Sequence, residues 1–125
     1  MLDTKKALIV DDEEALREII AEVLSLMDIT SYQANNGMEA IEIVSKHKDE
    51  IGLLLIDMYM PNMSGEETYR QIEKFLPESL AIFMSGFEND QSFADTPMST
   101  RQRFLKKPFT ITQLKDMVLE LIDES

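Results

Sequence analysis

Five side chains of this sequence could do chemistry together, and each stands directly after a short strand-like run. Asp11 and Asp12 follow the run 7–10, Asp57 follows 52–56, Ser85 follows 80–84 and Lys107 follows 103–106. Three carboxylates gathered in one place repel each other strongly. A hard divalent cation with oxygen ligands offsets that repulsion, and Mg2+ (or Mn2+) is the usual choice where phosphate is also handled. A lysine binds a phosphoryl oxygen as a point charge, and a serine hydroxyl donates a hydrogen bond to another. Such a set works by positioning and charge neutralisation. A carboxylate can also be the nucleophile itself and become an aspartyl-phosphate.

The chemistry requires elements that bring these residues to one rim. The apolar run 7–10 stops at two aspartates and suits a strand covered on both faces. Ala15, Leu16, Ile19, Ile20, Val23, Leu24 and Met27 recur at helical spacing and form one apolar stripe. Residues 29–34 predict a second strand. Asn36 with Glu39 forms an N-cap pair for a helix reaching about Lys48. Run 52–56 is the most apolar of the chain and predicts a central strand. Ser64 and Glu67 form a capping box for a third helix with Ile72 and Phe75 facing inward, and Pro77 stops it. Residues 80–84 and 103–106 predict two further strands. Thr110 and Gln113 cap a last helix with a stripe at Leu114, Met117, Val118, Leu121 and Ile122.

Strand and helix alternating about five times is the pattern of an α/β, doubly wound parallel sheet. In such a sheet, ligands bind beyond the carboxyl ends of the strands where the strand order reverses. Segment 88–102 departs from the pattern: Pro97 interrupts it and its apolar period is poor, so a short helix near 89–94 followed by loop is expected.

Charge and composition narrow the partners. The 125 residues predict one domain, 1–125, and they carry 24 acidic against 12 basic side chains, a formal net charge of -12. That charge argues against binding nucleic acid or an anionic membrane, and favours cations and basic protein surfaces. The chain has no cysteine, so thiol chemistry is excluded. It has no apolar run of membrane-spanning length and no signal-peptide stretch, which predicts a soluble cytoplasmic protein.

Ordinary structural roles account for several other residues. Two aspartates after a strand would, alone, read as a helix cap, and Ser85-Gly86 as a turn; Asp57 and Lys107 in register with them favour the site. Met58, Met60 and Met63 suit loop packing, since thioethers do not suit Mg2+. His47, the only histidine, is expected to be a solvated surface residue. Lys106 is expected at the surface because side chains alternate along a strand. Asn62 and Gly65 shape the loop after Asp57.

Four pieces taken in order give a family resemblance over nearly the whole chain. They are Val10-Asp11-Asp12-Glu13, Asp57 through Gly65, Met84-Ser85-Gly86 and Phe104-Leu105-Lys106-Lys107-Pro108-Phe109. The chain resembles a response-regulator receiver domain of the two-component type. The resemblance implies a flavodoxin-like strand order, 2-1-3-4-5, and a regulatory switch rather than a metabolic enzyme. It implies that Asp57 is the phosphoacceptor. Asp12, Asp57 and the backbone carbonyl of Tyr59 would bind Mg2+ directly, with Asp11 holding it through water. Lys107 would bind the phosphoryl group, Ser85 would shift toward it, and the Phe104 ring would follow from an outward to an inward position. The Lys107–Pro108 bond would be cis. The implied partners are a sensor histidine kinase or phosphotransfer protein, and a downstream protein or attached output domain. A phosphorylation-dependent homodimer is a further expectation, although an irregular 88–102 departs from the surface through which the family signals.

Two other functions fit less well. An aspartyl-phosphate phosphatase of the haloacid-dehalogenase type needs a second acid two positions after its nucleophile, where Tyr59 stands here. A flavodoxin-like cofactor binder needs a phosphate cradle after the first strand, where Asp11 to Glu14 would repel a phosphate lacking a metal. Tyr59 and Phe87 each lie two residues beyond a site residue, and rings there are expected to shield an acyl-phosphate from water.

Overall fold

A computed structural model of the chain describes residues 5–86 and 100–124. The elements run β1 (Lys6–Val10), α1 (Glu14–Leu26), β2 (Ser31–Ala34), α2 (Gly37–His47), β3 (Ile51–Asp57), α3 (Gly65–Glu73), β4 (Leu80–Ser85), β5 (Gln102–Lys106) and α4 (Ile111–Glu124). The five strands form one sheet in the order β2-β1-β3-β4-β5, and every pairing is parallel. Strand order therefore reverses between β1 and β3, which opens a crevice at their carboxyl ends.

Alternation along the strands builds two cores. Ala7, Ile9, Leu53, Leu55, Ile82 and Met84 face α1 and α4, meeting Ile20, Val23 and Leu24 from one and Leu114, Val118 and Leu121 from the other. Leu8, Val10, Leu54, Ile56, Ala81 and Phe83 face α2 and α3, meeting Ala40, Val44 and Ile72. Both faces of β3 and β4 are covered, so these strands carry continuous apolar runs rather than an alternating pattern.

The helix starts follow the cap residues. Asn36 Oδ1 accepts from the Glu39 N–H at 2.8 Å, and Ser64 Oγ accepts from the Glu67 N–H at 3.1 Å. Thr110 and Gln113 make the reciprocal pair, at 2.8 and 3.0 Å. Each such cap contributes about 1 kcal/mol. The Glu39 carboxylate in turn accepts from the Asn35 N–H at 2.7 Å.

The structure corrects four expectations. Ile19 is 49% exposed, because the apolar stripe of α1 is wider than the face that α1 buries. Phe75 is 41% exposed: α3 ends at Glu73, so Phe75 falls off the helical phase and Leu76 takes the inward place. Ile29 is buried but precedes β2, which begins at Ser31. His47 is only partly solvated, with 36% of its side chain exposed. Its ring stacks on Tyr32 with centroids 4.6 Å apart, and its Nδ1 lies 2.8 Å from Glu50 Oε2. The short helix expected near 89–94 lies outside the described residues; Thr100 and Arg101 form a turn that leads into β5.

α2 and α3 meet through a glycine. A methyl group on Gly37 would run into Thr68 Oγ1 and would lie 2.8 Å from Met63 Sδ. Gly37→Ala is therefore expected to destabilise the fold by about 1–3 kcal/mol, the range for overpacking. Urea unfolding checks this, with Met38→Ala, at a position 64% exposed, expected to stay within about 0.5 kcal/mol of the parent.

Candidate functional site

Strand parity carries three of the five chemical residues to one side. Asp11, Asp57 and Lys107 each stand two positions beyond a residue that packs toward α1 and α4, namely Ile9, Leu55 and Leu105. One carboxylate oxygen from each of Asp11, Asp12 and Asp57 lies within 4.8 Å of the others. Asp11 is fully buried, Asp57 is 5% exposed, and Asp12 is open to solvent.

Each of these groups is held from several directions. Asp11 Oδ1 accepts from the Glu13 N–H at 2.9 Å, so this carboxylate serves the start of α1, whose own N-cap residue Glu13 makes no side-chain cap. Asp11 Oδ2 accepts from Lys107 Nζ, also at 2.9 Å. The same ammonium lies 3.6 Å from Asp57 Oδ2 and 3.8 Å from Glu13 Oε1. Lys107 is fixed by its main chain, whose N–H donates to Ser85 O at 2.7 Å, and by a cis bond to Pro108. Asp57 Oδ1 accepts from the Tyr59 N–H at 3.3 Å.

The loop after Asp57 turns sharply. Asn62 has φ 73°, a left-handed conformation that asparagine tolerates better than most residues. Gly65 starts α3 with its N–H on Met58 O at 3.0 Å. A methyl group there would strike the Asp57 carbonyl and come within 2.8 Å of Met58 Cα, so only glycine lets α3 approach this closely.

Phe104 lies on the other side of the sheet. Ser85 is fully buried at the end of β4, one residue out of phase with Met84. Phe104 pairs with Phe83 across β4 and β5, and packs half-buried against the core that faces α2 and α3. Tyr59 stands 45% exposed beside the cluster, and Phe87 lies outside the described residues. Met58 is buried in the core, Met60 packs against it, and Lys106 is exposed.

The electrostatics of the cluster are strained. Burial first, and then the charges of Asp11 and Asp12, push the Asp57 carboxyl up to about 6, against the opposing pull of Lys107. Burial draws Lys107 down, yet the hydrogen bond and charge of Asp11, with Asp57 and Glu13, outweigh it and leave the ammonium above its ordinary value. One lysine does not neutralise three acids. The donor set is all carboxylate oxygen and one of its members is short of countercharge, so it fits a hard divalent cation such as Mg2+. Sequence reading missed Arg17, whose guanidinium holds the main-chain carbonyl of Asp11 at 2.7 Å. The available signal was a cation near the start of a helix, where the helix dipole disfavours one.

The chain is similar to known proteins over most of its length. Residues 7–119 match the family profile described as the response regulator receiver domain. The sensor kinase CckA of Brucella abortus is 32% identical over 94% of this chain, which covers 12% of that protein. Sporulation initiation phosphotransferase F of Bacillus subtilis is 29% identical over 91% of this chain and 90% of its own length. The crystal structure of the receiver domain of the hybrid histidine kinase CckA superposes with a TM-score of 0.79 at 27% identity, covering 94% of this chain and 98% of that one. The chain spans only about an eighth of the length of the sensor kinases it matches.

A carboxyl whose pKa is higher in the folded than in the unfolded state holds its proton more tightly when folded. Asp57 therefore costs stability as pH rises from its ordinary range through about 6, with the full penalty above that. Without divalent cations, Asp57→Asn is expected to unfold later in urea than the parent near neutral pH, by on the order of 1–3 kcal/mol. The advantage should shrink as pH falls through about 6 and vanish only below the carboxyl's ordinary unfolded value, where it is protonated in both states.

Proposed function

We propose, from the premise that this chain belongs to the response-regulator receiver-domain family, that it is a phosphoacceptor switch of a two-component phosphorelay with Asp57 as the acceptor. The reading rests on one observation above all: three carboxylates share a space of 4.8 Å while the Lys107 ammonium stands 3.6 Å from Asp57. A carboxylate oxygen of Asp57 attacks the phosphorus of a phosphohistidine, a P–O bond forms, and the P–N bond to the donor imidazole breaks.

Asp12, Asp57 and the backbone carbonyl of Tyr59 would hold Mg2+ or Mn2+, with Asp11 acting through water, and the ion would supply positive charge against the carboxylate and the phosphoryl oxygens. Lys107 binds a phosphoryl oxygen, for which its ammonium turns from Asp11 toward Asp57. Ser85 donates a hydrogen bond to another oxygen, and Phe104 changes its packing in response. Phe104 packs on the sheet face opposite Asp57, so its change would reach a surface that the acceptor itself does not touch.

The donor is a sensor histidine kinase or phosphotransfer protein. The names of two relatives, a sensor kinase and a phosphotransferase, support that class of partner. The output is a changed protein-binding surface, read by a downstream protein, an attached output domain or a second phosphorylated copy. The net charge of -12 favours protein over nucleic acid as the direct target. A cytoplasmic setting follows from the proposed donor. No described helix is long and apolar enough to cross a membrane.

Incubation with acetyl phosphate and Mg2+ tests the reading. A labelled species is expected that is lost with a chelator, lost in Asp57→Ala, and reduced in Lys107→Ala by about 100-fold or more. Label that persists in Asp57→Ala would place the acceptor elsewhere and end the proposal. Tyr59 gives a second test. It lies two residues beyond Asp57, donates its N–H to that carboxylate and is half-exposed, so Tyr59→Asn is expected to shorten the life of the label severalfold. An unchanged decay rate would show that the ring does not shield the phosphoryl group.

A further inference from the structure

Asp11 is anchored through its backbone as well as its carboxylate. Its N–H donates to Ala34 O at 3.2 Å, and its carbonyl accepts from Arg17 Nη1 at 2.7 Å. The same guanidinium donates from Nε to Gln33 Oε1 at 3.1 Å and from Nη1 to Asn35 Oδ1 at 3.3 Å. Asn35 is itself tied down, its N–H donating to Glu39 Oε1 at 2.7 Å, beside the Asn36 cap of α2. One planar fork thus clips the loop after β1 to the end of β2 and the turn into α2.

The placement of Arg17 is not explained by its helix. It is the fourth residue of α1, near the end where the dipole disfavours a cation. Its side-chain hydrogen bonds run to Asp11, in the loop after β1, and to residues 33 and 35, and it makes no ion pair among the described residues. The charge is spent on neutral oxygens a few ångströms from a crowded acid cluster, without touching the carboxylates. A guanidinium suits this task because its donors are fixed in a plane, whereas a lysine would offer one mobile point.

We propose that Arg17 is a positioning residue for the cation site. By holding the Asp11 carbonyl against the 33–35 stretch, it fixes the direction in which Asp11 and its neighbour Asp12 present their carboxylates. The inference rests on the reading of that cluster as a divalent-cation site. Groups that orient a ligand from behind commonly change metal affinity by 10-fold or more when removed.

Mn2+ binding, followed by calorimetry or by the loss of the free-ion electron paramagnetic signal, tests this on the parent, Arg17→Lys, Arg17→Ala and Asn35→Ala. Both Arg17 variants are expected to bind Mn2+ about tenfold more weakly than the parent. Asn35→Ala should lose less, and should add little when combined with Arg17→Ala, because the two residues act through one contact. A purely electrostatic role predicts another pattern. Losing a cation near three acids would tighten Mn2+ binding in Arg17→Ala and leave Arg17→Lys unchanged, and that result overturns the proposal. So does equal affinity in all folded variants, whatever their melting temperatures, since Arg17 would then only pack. Should Arg17→Ala not fold, Arg17→Lys, which keeps the charge and the stem, carries the test. A parent protein that binds no Mn2+ is a separate result: it would refute the cation site, and the positioning role with it.

Discussion

Crowding three acids into 4.8 Å around one lysine is unfavourable for a folded chain, and the surrounding structure is arranged to hold that state. Carboxylates in water separate; buried ones do so only if the backbone lets them. Here the backbone does not. Asp11 and Asp57 extend from adjacent parallel strands, β1 and β3, whose register is set by Ile9 against Leu55 and Val10 against Ile56. Those pairs lie in the two cores, so moving one acid away from the other would slide apolar side chains out of both. Hydrophobic burial thus holds the acids together, and the raised pKa of Asp57 reflects first its own burial and then the charges of Asp11 and Asp12.

The loops complete the enclosure by local means. Glycine at position 65 lets α3 begin against the backbone of Asp57 and Met58, and glycine at position 37 lets α2 sit on Met63 and Thr68. Arg17 joins the first loop to the second. Three successive loops are therefore fastened to one another by contacts that do not engage the carboxylates of Asp12 and Asp57. The cations that neutralise and the contacts that position are different groups, which is why a site short of positive charge can still be well ordered.

Sequence legibility followed the range of the interactions. Strand ends could be read because apolar runs stop at charged or polar residues, and caps because their bonds span three residues. The strand order and both faces of the sheet agree with the alternation. Ile19 and Phe75 could not be read correctly, since helical periodicity says which residues share a stripe but not how wide a stripe the sheet will cover, nor where the helix stops. His47 and Tyr32 are fifteen residues apart and stack only because β2 and the end of α2 are neighbours in space. Arg17 likewise meets partners up to eighteen positions away, with no local pattern to announce them. The four motif pieces that carry the chemistry were legible for the opposite reason: each is a strand end, and a parallel sheet gathers its strand ends on one edge.

The bond between Lys107 and Asp11 has a consequence for occupancy. On the proposed reading, the ammonium that a phosphoryl oxygen would use is already engaged by an internal carboxylate. Phosphorylation would then exchange one ion pair of Lys107 for another, and loss of the phosphoryl group would return the lysine to its contact with Asp11.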